Sequence, residues 1–266
     1  MSQPAVIFGG PSPEHDISVL TGLQAARALL AAVELHALPS TAASRLLAIG
    51  DPAFVSLARL PRSADEARRV AAYGRESVVL TRGEATEGAV RASNLPTVGV
   101  LHFATHALVD ERGQSRTALA LTPSDRDDGF LTTAEIALLH LNGALVVLSA
   151  CQSLGGQILG GEGLRGLSEP FLEAGARAVV VTQWSIGDKS VLPFVDRFYA
   201  SMASGLSVGE ALRATKLAAI HDRARIADWA AFTVIGDAAM HPPLRPRRLP
   251  ALKWVSETVQ AVRDST

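Results

Sequence analysis

Two residues have side chains suited to nucleophilic chemistry and stand where a fold could bring them together. His106 follows the run Val98 to Phe103 and Ala104-Thr105, and Cys151 follows the run Leu145 to Ser149 and Ala150. Both runs are short and mostly aliphatic, as strands buried in a parallel sheet are. Both reactive side chains are therefore expected at the carboxyl ends of strands, the edge where open α/β sheets build their sites. A thiolate, not a thiol, is the nucleophile, and a neighbouring histidine both lowers a cysteine's pKa from ~8.5 and acts as its base. Residues 107 to 150 are enough for one crossover helix, from Thr132 to about His140, with a loop before it. Neighbouring strands would then set imidazole beside thiol. Cys151 is the single cysteine, so no internal disulfide forms and a reducing, cytoplasmic setting is expected. A lone cysteine is ordinarily a small buried hydrophobe, and only a partner such as His106 gives it a chemical role.

The elements that must position this pair are marked along the chain. Aliphatic runs at Ala5 to Phe8, Leu46 to Ile49, Ser77 to Leu80, Val98 to Phe103, Leu145 to Ser149, Ala178 to Thr182 and Phe232 to Ile235 alternate with longer helical patterns. That alternation predicts a mostly parallel sheet flanked by helices, an α/β fold. Capping boxes predict helix starts at Ser63 with Glu66, Thr132 with Glu135 and Ser207 with Glu210. Gly175 and Gly205 stand where helices beginning near Ser168 and Ser190 should stop.

With 266 residues, 48% of them apolar, the chain can bury a core of ordinary size. A net charge of −1, with both signs scattered, gives no long-range field to attract nucleic acid or an anionic membrane, and neither partner is expected. No apolar run is long enough to span a bilayer, and the N-terminus lacks the pattern of a leader, so a soluble, unprocessed protein is expected.

The stretch His102-Phe103-Ala104-Thr105-His106, then Leu145 to Ser153 (LVVLSACQS), Gly161-Glu162-Gly163 and Gly166-Leu167, resembles the CHAT domain, a relative of caspases and separases. The likeness continues through Phe171-Leu172, Ala174-Gly175-Ala176, Trp184, Asp188, Phe198-Tyr199, Gly205, Ala211-Leu212 and Phe232 to Asp237. Upstream it includes Leu38-Pro39-Ser40, Gly50-Asp51-Pro52 and Leu60-Pro61. The resemblance covers residues 38–240 and implies a caspase-like sheet with helices on both faces. It also implies that His106 is the general base and Cys151 the nucleophile of a cysteine peptidase, with the oxyanion held by backbone amides of Ala107 and Cys151. Related peptidases mostly carry glycine at the Ala107 position, and alanine would be strained there if φ were positive. Substrate preference is expected from Trp184, Ser185 and Asp188 and from the loop bearing Glu162. Glu162 and Asp188 either form an acidic pocket for a basic residue or brace their own loops.

Other patterns compete for attention. Gly161-Glu162-Gly163-Leu164-Arg165-Gly166 matches the dinucleotide fingerprint, but the strand does not run directly into its first glycine, so a loop beside Cys151 is the better reading. His102 and His106 have the spacing of metal ligands on a helix, yet they lie on a strand and its exit. No metal or cofactor is expected, and His102 is assigned a structural hydrogen bond. The opening Val6-Ile7-Phe8-Gly9-Gly10, with Glu14-His15 and Ser18, locally resembles the start of D-alanine–D-alanine ligases; residues 1–37 are read as a structural β-α segment. Residues 241–266 form a proline- and arginine-rich tail ending in a short amphipathic pattern, Leu252, Val255, Val259 and Val262, either docked on its own domain or open to a partner.

The expected activity is therefore cleavage of a protein or peptide substrate by a His-Cys dyad, under control of an activating protein partner. The rival expectation is a binding or scaffolding module that keeps the fold without turnover. A third is an amino-acid-binding protein built on the ligase-like segment.

Overall fold

A computed structural model describes residues 44–54, 57–108, 117–149, 166–184, 186–187 and 190–246, with backbone alone at 151–152. The expected strand Ala5 to Phe8, the whole N-terminal segment and the amphipathic end of the tail lie outside them. In chain order the elements are β1 (Arg45–Pro52), α1 (Pro61–Ala71), β2 (Glu76–Arg82), α2 (Glu87–Ala92), β3 (Val98–Ala104), β4 (His106–Leu108), β5 (Ala118–Ala120) and β6 (Phe130–Thr132). There follow α3 (Thr133–Ala137), β7 (Leu145–Leu148), β8 (Cys151–Gln152), α4 (Ser168–Glu173), β9 (Ala178–Thr182), α5 (Val191–Ala203), α6 (Val208–His221), α7 (Ile226–Trp229) and β10 (Phe232–Gly236).

Six strands form the central sheet in the order β10-β9-β7-β3-β1-β2, all parallel except the antiparallel edge strand β10. Alternation along each strand divides the core into two layers. Leu46, Ala48, Val100, Leu145, Val147 and Val180 meet α1, α5 and α6 on one face. Leu47, Ile49, Leu101, Phe103, Val146, Leu148 and Val179 meet α3, α4 and the small sheet on the other. Burial on both faces is why these strands read as unbroken apolar runs.

A second sheet, in the order β6-β5-β4-β8, grows from the carboxyl ends of β3 and β7. The segment between His106 and Cys151 is thus mostly this hairpin system. The expected crossover helix shrinks to the five residues of α3, whose Thr132-Glu135 capping box is present. Arg91 ties α2 to the β5–β6 connection and to α3 by ion-pairing with Glu87 (3.3 Å), Glu135 (3.5 Å) and Asp127. Burial, followed by the nearby Glu135 charge, pushes the Glu87 carboxyl up. Burial also acts to raise Glu135, but the amide and hydroxyl of Thr132, the hydrogen bond with Glu87 and the Arg91 charge together hold that carboxyl down.

The Ser207-Glu210 box caps α6 as expected. Gly175 closes α4 at φ 95°, where an added Cβ would lie 2.1 Å from the Leu141 carbonyl oxygen. The Ser63-Glu66 box does not form. α1 begins three residues earlier, with Leu60 rather than Ser63 at its N-cap position, Pro61 in its first turn and no side-chain cap. Ser63 Oγ instead accepts the Asp51 amide (2.7 Å) and donates to the Leu60 carbonyl (2.7 Å), while Glu66 turns inward. Tertiary partners outbid the local capping signal, since a buried amide or imidazole left without a partner costs more than a frayed first turn.

Candidate active site

His106 and Cys151 are register partners. β4 and β8 run parallel, with His106 opposite Cys151 and Ala107 opposite Gln152. Neighbouring strands lie about 4.8 Å apart, so the two backbones are adjacent at the carboxyl edge of the main sheet. A short offset after each main-sheet strand produces this. β3 ends at Ala104, Thr105 Oγ1 donates to the Ala120 carbonyl (2.5 Å), and the chain re-enters the small sheet at His106. β7 ends at Leu148, the Ser149 amide bonds the Phe103 carbonyl (2.9 Å), and Cys151 opens β8.

The His106 ring is buried, 4% exposed. Its Nε2 lies 2.6 Å from the Ala58 carbonyl oxygen, and the Phe54 ring lies 4.8 Å away between centroids. A carbonyl only accepts, so Nε2 carries a proton and Nδ1 is the basic nitrogen of the neutral ring. Both contacts come from the segment joining β1 to α1. Near the end of β1 the chain packs closely on α1 at Gly50, where an added Cβ would sit 2.2 Å from the Ser63 carbonyl oxygen. Asp51 follows at φ 48°, a left-handed conformation that aspartate tolerates better than most residues.

The Asp51 carboxylate is 1% exposed and accepts a forked pair from Arg59, Nε to Oδ1 at 3.1 Å and Nη2 to Oδ2 at 2.8 Å, with Arg82 Nη1 3.4 Å from Oδ1. The hydrogen bonds to Asp51, and then its charge, raise the Arg59 guanidinium above its ordinary value. Thr122 Oγ1 accepts the Ala53 amide (2.8 Å) and donates to the Arg82 carbonyl (2.6 Å), fastening the same segment to the far side.

His102 is structural, as its place inside β3 suggests. Its Nε2 is 3.0 Å from Glu66 Oε1 and its Nδ1 3.0 Å from the Tyr199 hydroxyl, all three side chains being buried. This network ties α1, β3 and α5 together. Burial, then the Glu66 charge, drives the Tyr199 phenol well above its ordinary pKa.

Ala107 is fully buried strand backbone, flanked by Leu119 and Gln152, and is not among the residues with positive φ. The strain considered for alanine at this position therefore does not arise. Trp184 is half-buried and its Nε1 donates to the Ala227 carbonyl (2.9 Å), joining the end of β9 to α7. Glu162, Ser185 and Asp188 lie outside the described residues, as do Glu14 and His15. Residues that sequence reasoning did not single out as site elements are Phe54, Ala58 and Arg59. Asp51 was noted only as part of a motif.

Comparison with known proteins identifies the family and the fold. Residues 15–237 match the CHAT domain family. The chain belongs to that family. The CHAT match begins upstream of residue 38, inside the segment assigned to the N-terminus. Tetratricopeptide repeat protein 28 of Mus musculus is 36% identical over 118 residues, and that of Homo sapiens 30% over 118. Each alignment takes in 42% of this CHAT chain but only 5% of the relative's length. Among solved structures, the Arg-specific cysteine proteinase gingipain R aligns at TM-score 0.56 and 13% identity, covering 83% of this chain and 52% of its own. A structure described as a protease aligns at TM-score 0.50 and 18% identity, covering 80% and 52%. The fold is thus the mostly parallel, caspase-like α/β arrangement. Among the described residues no helix is long and apolar enough to cross a membrane.

Proposed function

We propose that this CHAT domain is a cysteine endopeptidase in which Cys151 is the nucleophile and His106 the general base. The observation that supports it most is the parallel register of β4 and β8, with His106 opposite Cys151. In this reading His106 Nδ1 takes the thiol proton while Nε2–H stays on the Ala58 carbonyl. The thiolate attacks the peptide carbonyl carbon, and the oxyanion is met by the Ala107 and Cys151 amides. The imidazolium then protonates the leaving amine as the C–N bond breaks, giving a thioester. Water, deprotonated by His106, attacks that thioester and releases the carboxylate and the thiol. Side-chain preference is assigned to the segments carrying Glu162, Trp184, Ser185 and Asp188. The substrate is a protein or peptide, a protein partner switches the site on, and the setting is a reducing one.

A second reading, a binding module without turnover, is favoured by the curated relatives, whose names describe repeat proteins rather than peptidases. Prolonged incubation of parent and Cys151→Ala proteins with a library of unstructured peptides, read by mass spectrometry, separates the two. Cleavage in the parent that is lost in Cys151→Ala supports the peptidase. Identical peptide profiles from both proteins contradict it.

A further inference from the structure

We propose that Asp51, acting through Arg59, is a positioning residue for His106, holding the Ala58 carbonyl where it fixes the tautomer and orientation of the imidazole. This inference rests on the dyad reading above. The Ala58 carbonyl and the Arg59 nitrogen share one peptide plane, so whatever anchors Arg59 also aims that carbonyl. Arg59 is anchored in an uncommon way. Its side chain is 60% exposed, yet its guanidinium forks onto a carboxylate with 1% exposure. A surface arginine gains little from an exposed ion pair; here the acceptor is buried and the bond is bidentate, the geometry that adds most direction.

Every other feature of Asp51 holds that acceptor still. Its amide is bound by Ser63 Oγ at the start of α1 (2.7 Å), Arg82 at the end of β2 approaches its second side (3.4 Å), and its left-handed φ is imposed at the end of β1. The clamp thus spans β1, α1 and β2, and its output is one carbonyl 2.6 Å from His106 Nε2. The charged groups facing Asp51 are Arg59 and Arg82. Its carboxylate is held by these arginines, and of the two Arg59 adjoins Ala58, so its role is exerted through Arg59.

The test uses iodoacetamide on the full chain, in which Cys151 is the single thiol, at pH 6, with thermal midpoint measured alongside. Arg59→Ala should slow alkylation about tenfold, the effect of raising the thiol pKa by about one unit, measured well below its thermal midpoint, which should fall because the buried Asp51 carboxylate loses its forked partner. Asp51→Asn should move the rate in the same direction. The Arg59→Ala, His106→Ala double variant should be no slower than His106→Ala alone. Unchanged alkylation in Arg59→Ala, with slow alkylation in His106→Ala, would overturn the positioning role and leave the dyad standing. Equal slowing by Arg59→Ala with and without His106 would show altered access to the thiol and would also overturn it. Alkylation indifferent to His106→Ala would remove the dyad and this inference together.

Discussion

His102 and His106 stand four residues apart on one stretch of chain, yet the fold treats them in opposite ways. His102 sits inside β3 with both ring nitrogens committed to side chains, Glu66 and Tyr199, from helices on one face of the sheet. His106 stands past the end of β3, in the small sheet, opposite Cys151 in register and with a backbone carbonyl on Nε2. A histidine saturated by side-chain partners in a dry core is a cross-link. One held by a backbone carbonyl on Nε2 at a strand's carboxyl edge, opposite a cysteine, is where the proposed mechanism puts proton transfer. Spacing within the sequence does not distinguish them; position relative to the sheet edge does.

The largest effect expected from breaking this contrast is chemical. His106→Ala should lower peptide cleavage by roughly 10²–10⁴-fold, the usual contribution of a general base, in protein that remains folded at the assay temperature. Steady-state cleavage assays alongside thermal melts check both halves. His102→Ala should do the reverse. It leaves the buried Glu66 and Tyr199 groups without their shared partner, and denaturant unfolding should show a loss of roughly 3–5 kcal/mol.

Tyr199→Phe probes the same network more gently. Removing one hydrogen bond should cost about 1 kcal/mol at pH 7. Because the folded phenol's pKa is raised, first by burial and then by Glu66, the parent's stability from this group is fully present below the unfolded value of about 10 and lost as pH rises through the higher folded value. The stability of parent and Tyr199→Phe should therefore converge in alkaline urea titrations. A constant gap from pH 8 to pH 11 would show that the phenol is not held neutral by the fold.

The same contrast explains what the sequence made legible. The strands β1, β2, β3, β7, β9 and β10 all fall where aliphatic runs placed them; for β1, β3, β7 and β9 burial on both faces leaves a signal several residues long. β4, β5, β6 and β8 have only two or three residues each, too few for any period, so the pattern between His106 and Cys151 shows only a loop and a crossover helix. The antiparallel direction of β10 has no signature in its composition. At the site, His106 and Cys151 were recognisable from their side chains and from a family likeness, whereas the group that orients His106 is the carbonyl of Ala58, which any residue would supply. Asp51 and Arg59 are joined by a fold in the chain rather than by periodic spacing. Ser63 and Glu66 misled because their local capping pattern is real but their tertiary partners, Asp51 and His102, are stronger competitors.

The most direct test of the account is the pH profile of Cys151 alkylation by iodoacetamide in the folded parent and in His106→Ala. With His106 beside the thiol and carrying its proton, the thiolate persists well below the free-cysteine pKa of about 8.5. The parent should react appreciably at pH 6, His106→Ala should be slow there, and the two rates should meet near pH 9. A thiol that reacts slowly at every pH in the native state, at the same rate with or without the His106 imidazole, would contradict the dyad.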